Sequence, residues 1–241
     1  MQDERRDWRA VFWDIGGVIL DTASVRRAHE EFVGTIVARR SSDESVEDAI
    51  ERWRTAVGEH FRERDGTAFQ SARTAYDRAV DEITGEEIPE DEWRPVFERV
   101  MAETLRPNPG AVETVERLAA TDLHVGVISD VDTEEGVRIL ETFGVLNQFD
   151  SITTSEMVGR TKPDRRMFET ALDAANVPAS DALMIGDRYD HDIAGSSAVG
   201  MTTVAYGADD GPETDYAIDD LREILSIVGV ESKSEESNGV D

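Results

Sequence analysis

The sequence predicts an α/β protein: a doubly wound parallel sheet, with an all-helical segment inserted after its first strand. Three observations carry this. Short apolar runs rich in β-branched and aromatic residues alternate with stretches of helical periodicity, the pattern of strands joined in parallel by right-handed crossovers. Two of those runs end on a carboxylate, at Asp14 and at Asp187. Between the first run and the second, residues 22–104 carry helical periodicity alone.

Taken in order, Val11, Phe12 and Trp13 form a short buried strand ending at Asp14. Gly16 and Gly17 let the backbone turn tightly and approach a ligand, and a second apolar run closes on Asp21. The same stretch is equally compatible with a strand that merely ends in an Asp and a glycine turn. Ala28, Phe32, Ile36 and Val37 lie on one face of a first helix. Ser41-Ser42-Asp43-Glu44-Ser45 opens a second, with Val46, Ile50, Trp53, Val57, His60 and Phe61 on its apolar side. Asp65-Gly66-Thr67 breaks the chain before a third helix that runs through Tyr76 and Val80 to Ile83. Residues 85–89 break it again before a fourth, carrying Trp93, Val96, Phe97, Val100 and Met101.

Pro107-Asn108-Pro109-Gly110 punctuates the chain. A helix over 111–120, a strand over 124–129, a helix over 134–143 and a weak strand over 152–154 follow. Thr161-Lys162-Pro163-Asp164 opens the next helix with Pro in its first turn and Phe168, Leu172 and Ala175 on its buried side. Residues 182–186 are a buried strand ending at Asp187, 193–199 a short helix, 202–206 the last strand, and 219–228 the closing helix. The polar residues 231–241 are expected to be a disordered tail.

A chain of 241 residues can bury a substantial core. Without cysteine it has neither disulfides nor thiolate chemistry. A polar start and the lack of long apolar runs predict a cytoplasmic protein with no membrane partner. The net charge of −28 argues against nucleic acid and anionic membranes, both polyanions. Lysine occurs only at Lys162 and Lys233. An acid-rich, lysine-poor surface is the composition of a halophilic protein, whose carboxylates stay hydrated in concentrated salt.

Strand ends and helix starts thus bear Asp14, Ser129, Lys162, Asp187 and Asp192, and a doubly wound sheet can bring them to one crevice. Asp14, Asp187 and Asp192 are hard oxygen ligands suited to Mg²⁺. Ser129 and nearby backbone N–H groups can hold a phosphoryl oxygen, and Lys162 can neutralise both phosphate and nucleophile. Asp190 is a rival to Asp192.

In this arrangement the chain resembles the haloacid dehalogenase superfamily. Asp14-Ile15-Gly16-Gly17-Val18-Ile19-Leu20-Asp21 is similar to its first motif, with Asp14 at the nucleophile position. Val127-Ile128-Ser129 is similar to the second, Lys162-Pro163-Asp164 to the third, and Gly186-Asp187 through Asp192 to the acidic fourth. The resemblance implies a Rossmann-like core of residues 1–21 and 105–230 and a helical cap of residues 22–104. It also implies Mg²⁺-dependent hydrolysis of a small phosphorylated metabolite through an aspartyl-phosphate; a monomer or homodimer is the expected assembly. Asp14, Asp187, Asp192 and the Gly16 carbonyl would be the metal ligands.

One departure matters. Related phosphatases usually carry a second Asp two residues after the nucleophile, where this chain has Gly16. General acid–base help is worth ~10²–10⁴-fold, so esters with poor leaving groups should suffer most. A metal-independent 2-haloacid dehalogenase also lacks that acid, but the pair Asp187 and Asp192 would repel an anionic substrate unless a cation lay between them. A phosphonoacetaldehyde hydrolase needs a cap lysine, and residues 22–104 contain none. A non-catalytic phosphate-binding protein is the remaining alternative. Of the histidines, His124 is expected to be structural and His191 to orient the fourth motif. His29 and His60 are expected either to reach substrate or to lie at the surface.

Overall fold

The computed structural model describes residues 7–39, 45–207 and 211–230. Its centre is a six-stranded sheet, all parallel, in the order β3-β2-β1-β4-β5-β6. The strands are β1 (Ala10–Trp13), β2 (His124–Ser129), β3 (Ser151–Thr154), β4 (Ala182–Gly186), β5 (Thr202–Tyr206) and β6 (Tyr216–Ile218). β1 lies between β2 and β4, so Asp14 emerges at the middle of the carboxyl edge, flanked by the loops that follow Ser129 and Gly186.

The alternation of β1 sends its side chains to two cores. Val11 and Trp13 join Val125, Val127, Leu183 and Ile185 on one face, against α5 (Ala111–Ala119), α6 (Thr133–Thr142) and α10 (Glu223–Ile227). Ala10 and Phe12 join Ile128 and Met184 on the other, against Met167, Phe168, Ala171 and Leu172 of α8 (Arg165–Ala175), which follows the single-turn helix α7 (Ser155–Val158). Each large side chain buried in these layers contributes about 1.5–3 kcal/mol before entropy is counted.

Four helices fill the interval after β1: α1 (Thr22–Arg39), α2 (Val46–Arg62), α3 (Ala72–Thr84) and α4 (Glu90–Thr104). Ser45 and Ser71 cap α2 and α3 through their side chains, and Gly85 ends α3 in the left-handed conformation. Their shared interior is aromatic. Phe32 meets Trp53 and Phe97 edge-on, and Trp53 stacks on Tyr76.

Several expectations are corrected. α2 buries Ala49, Trp53 and His60 but leaves Val46 and Phe61 exposed, because both lie at helix ends rotated off the packed stripe. Pro163 lies outside α8, since Asp164 is the cap and accepts from Arg166 N. The expected 193–199 helix begins instead as a π-helical turn at Tyr189–Ile193 and continues as α9 (Ala194–Ser197). β5 is not the last strand: β6 adds an edge, and the closing helix shortens to α10. The expected tail at 231–241, and Ser41 to Glu44 before α2, lie outside the described residues.

Candidate active site

Asp14, Ser129, Lys162, Asp187 and Asp192 converge at the carboxyl ends of β1, β2 and β4. Asp14 is 6% exposed, and its Oδ1 accepts from the Ile15 amide at 2.8 Å. The Ser129 hydroxyl also donates to it. Lys162 is wholly buried. Its Nζ lies 3.0 Å from Asp14 Oδ1 and 2.6 Å from Asp192 Oδ1, and donates to the Ile128 carbonyl at 3.0 Å. Asp192 is oriented by the π-helical turn: its amide donates to Arg188 O and its Oδ2 accepts from Arg188 N. Asp190 is exposed, so Asp192 is the carboxylate that the fold turns inward.

Oxygens of Asp14, Asp187 and Asp192 lie within 4.8 Å of one another. Two glycines make room for them. A Cβ on Gly17 would collide with the Asp187 carboxylate, and one on Gly186 with the Asp192 side chain. Asp187 Oδ1 is buried and has no hydrogen-bond partner. Three converging carboxylates, one with an orphaned oxygen, are a donor set that fits a hard divalent cation.

The electrostatics point the same way. Burial pushes the Asp14 carboxyl up to about 7; Asp192 and Asp130 push in the same direction, while Lys162 and the Ser129 hydroxyl oppose. Burial and Asp192 likewise raise Asp187. Burial alone would lower Lys162, but Asp14, Asp192 and Asp130 together hold its ammonium above the ordinary value. One ammonium thus faces more carboxylate charge than it can neutralise.

Gly16 follows Asp14 with open space where its Cβ would lie and without a positive φ. The left-handed position is Gly17, at φ 78°. The turn is tied down by Gly17 N to Leu20 O at 3.0 Å and by Asn108 Nδ2, which donates to Gly17 O and Val18 O.

Two features escaped the sequence reading. Asp130 joins three loops: its Oδ1 accepts from Lys162 N at 2.8 Å, and its Oδ2 from Arg188 at 3.0 Å, with His191 Nδ1 3.5 Å away. Burial would raise this carboxyl, but His191 and Lys162 bring it below its usual range. Its only signal was its place directly after Ser129. The second feature is the segment 67–72, read only as a helix break. Thr161 N donates to Thr67 O, Phe69 N to Gly159 O, and Ala72 N to Asp132 Oδ2.

His29 is half-buried in the interior of the helical insert. Its ring lies among Trp53, Tyr76 and Phe97, and burial lowers it to about 4. His60 is buried beside Phe61 and Arg78. His124 is structural as expected, with Nε2 2.7 Å from Ser151 Oγ.

The chain is 33% identical over 138 residues to a glyceraldehyde 3-phosphate phosphatase of Methanocaldococcus jannaschii, a match covering 55% of this chain. It spans only 60% of that relative's length. A ribulose-1,5-bisphosphate 5-phosphatase of Halopiger xanaduensis is 30% identical over 183 residues, covering 69% of this chain and 77% of that protein. A HAD phosphatase structure from Thermococcus onnurineus superposes with a TM-score of 0.70 at 24% identity, covering 92% of this chain and 99% of that one. The model of the haloacid dehalogenase-like hydrolases matches residues 8–200, most of the chain and every site residue above, and the chain belongs to that family.

Proposed function

We propose that this hydrolase is a Mg²⁺-dependent phosphatase of a small phosphorylated metabolite, with Asp14 as nucleophile and residues 22–104 as a cap over the core formed by residues 1–21 and 105–230. The observation that carries the reading is the cluster of Asp14, Asp187 and Asp192 around the buried Lys162 ammonium. The phosphatase relatives support the substrate class. Asp14, Asp187, Asp192 and the Gly16 carbonyl would hold Mg²⁺, which when bound neutralises phosphoryl charge as a Lewis acid.

The chain's own groups do the rest. An Asp14 oxygen attacks phosphorus, the bond from phosphorus to the ester oxygen breaks, and the leaving alkoxide takes a proton from water. A water then attacks phosphorus, the bond from phosphorus to the Asp14 oxygen breaks, and the carboxylate and inorganic phosphate are freed, the water's proton passing to phosphate or solvent. Lys162 and the Ser129 hydroxyl hold phosphoryl oxygens and balance the developing charge. With glycine at position 16, no side chain there supplies the leaving-group proton.

A dehalogenase would attack the carbon of an anionic halo acid and has no use for three clustered carboxylates, one with a buried unpaired oxygen. The acidic, lysine-poor composition supports a salt-adapted enzyme without nucleic acid or an anionic membrane as partner, to which the proposal adds a cytoplasmic monomer or homodimer; among the described residues no helix is long and apolar enough to cross a membrane.

The test is release of phosphate from para-nitrophenyl phosphate in molar KCl, with Mg²⁺ and with chelator, beside an L-2-chloropropionate control. Turnover only with Mg²⁺ is expected. Chloride release from the control, or phosphatase activity indifferent to chelator, would overturn the reading.

A further inference from the structure

We propose that Arg160 is a specificity residue that reads a second anionic group, a carboxylate or a second phosphate, on the carbon skeleton of the ester bound at Asp14. The inference rests on the phosphatase reading and narrows its substrate class.

The segment 67–72 runs between α2 and α3 and is fastened to both loops that bear site residues. At one end, Thr161 N donates to Thr67 O at 2.8 Å and Phe69 N to Gly159 O at 3.2 Å. Ala68 and Arg160 form an antiparallel bridge, and Thr67 Oγ1 donates to Asp164 Oδ2 at 3.0 Å. At the other end, Ala72 N donates to Asp132 Oδ2 at 2.7 Å. The first anchor lies just before Lys162 and the second just after Ser129, so the helical insert is docked onto the two loops that flank the phosphoryl site.

Arg160 sits at that junction. It is half-buried, and among the described residues no carboxylate pairs with it. Among the described residues Arg9, Arg26, Arg39, Arg62, Arg64 and Arg106 also pair with no carboxylate, but of these only Arg64 is half-buried as Arg160 is. The next two arginines follow the common pattern, Arg165 pairing with Glu169 and Arg166 with Asp164. Successive side chains of an extended stretch alternate in direction. The bridge sets Arg160 and Ala68 on one side of the paired segments, and Gln70, two residues on, falls on that side too; Arg160 lies two residues before Lys162, whose Nζ reaches Asp14. On the facing segment, Gln70 Oε1 is buried without a hydrogen-bond partner. Among the described residues, a guanidinium without a carboxylate partner and an amide oxygen without a hydrogen bond thus share one face of the paired segments next to the Lys162 loop.

A guanidinium presents a planar fork that matches the oxygens of carboxylate or phosphate. A partly desolvated cation without a partner is costly, and a substrate anion offsets that cost at the moment of binding. The amide oxygen suits a substrate hydroxyl. Together they describe a phosphorylated hydroxy acid or a sugar bisphosphate rather than a neutral alcohol phosphate.

The experiment compares wild type, Arg160→Ala and Arg160→Lys on three substrates with Mg²⁺ in molar KCl. These are 2-phosphoglycolate for the carboxylate, ribulose 1,5-bisphosphate for the second phosphate, and para-nitrophenyl phosphate as the control without a second anion. Losing a charged hydrogen bond should reduce kcat/KM of Arg160→Ala about 10- to 100-fold on at least one of the first two, mainly through KM. The aryl phosphate should change less than about threefold, and Lys should recover part of the loss. Whichever dianionic substrate is affected identifies the anion. Equal losses on all three substrates, or no loss on either dianionic one, would overturn the proposal while leaving the phosphatase reading intact. A wild type inert toward all three would instead overturn that reading itself.

Discussion

Lys162 Nζ lies 3.0 Å from Asp14 Oδ1, in a pocket from which the lysine is wholly excluded from solvent. It is one of only two lysines in the chain. Arginine, the usual cation here, would bring a rigid fork where a compact ammonium fits between Asp14 and Asp192. Lys162→Met removes the charge and leaves both carboxylates buried and uncompensated. A loss of about 3–5 kcal/mol in stability of the metal-free protein is expected, with turnover reduced by about 10²-fold or more. Lys162→Arg should not restore turnover. Near-normal activity in either variant would refute this account of the pair.

Asp14→Asn keeps the shape but loses the nucleophile, so phosphate release should vanish. A separate readout concerns the metal. Mg²⁺ should raise the Tm of the wild type, because a ligand that binds only the folded state stabilises it. Asp187→Asn removes an oxygen that is orphaned without a cation, and should abolish most of that increase. A Tm response to Mg²⁺ that persists in Asp187→Asn would remove Asp187 from the metal site.

His29 gives a pH prediction that does not involve the site. Burial among the rings, and secondarily Arg54, lower it from 6.5 to about 4. Between those pH values the unfolded chain binds a proton that the folded chain does not. Stability should therefore fall as pH drops through this window, by at most about 3 kcal/mol from this group. Carboxylate protonation acts at the same time, so the quantity to measure is the difference in unfolding free energy between wild type and His29→Phe, from pH 7 to 4.5. A difference that stays constant would show that the ring titrates normally in the folded state.

Sequence reading reached the main strands, and the residues it singled out do converge in the fold, because both are written in short stretches. β1 alternates Ala10 and Phe12 against Val11 and Trp13, and Asp14, Ser129 and Asp187 lie at the ends of β1, β2 and β4. What it missed depends on contacts distant in sequence. β6 is three residues long with two exposed, so nothing apolar announces it, and its pairing with β5 alone makes it a strand. Asp130 reads as a turn residue until Lys162, Arg188 and His191 are seen around it. The rings around His29 were equally hidden, because periodicity does not reveal which neighbouring helices supply Trp53, Tyr76 and Phe97.

The charge of −28 sets an expectation for salt. Salt weakens the surface pairs, such as Arg99 with Glu103 and Arg165 with Glu169, but each is worth only about 0.2–1 kcal/mol. It also confines like-charge repulsion, as the Debye length falls from ~30 Å at ~0.01 M to ~3 Å at ~1 M. With acids outnumbering Lys and Arg by 53 to 25, the second effect should dominate. Tm should rise from dilute buffer to molar KCl, and a flat or falling Tm would contradict the salt-adapted reading.

The two adjacent glycines should respond in opposite ways. Gly17 has φ 78° and borders Asp187, so Gly17→Ala strains the turn and pushes a methyl group against the carboxylate. It should lose Mg²⁺ response and turnover on every substrate alike. Gly16 has open space at its Cβ and no positive φ, so Gly16→Asp should fold with little change in Tm. Its carboxyl would occupy the position of the absent acid. An aryl phosphate leaves as a fairly stable anion and needs little protonation, whereas an alkyl phosphate leaves as a basic alkoxide and needs much. Turnover of alkyl phosphates should therefore rise relative to aryl phosphates, by up to the ~10²–10⁴-fold of general-acid catalysis. If Gly16→Asp folds and keeps its Mg²⁺ response but leaves the alkyl-to-aryl ratio unchanged, another group already delivers the proton.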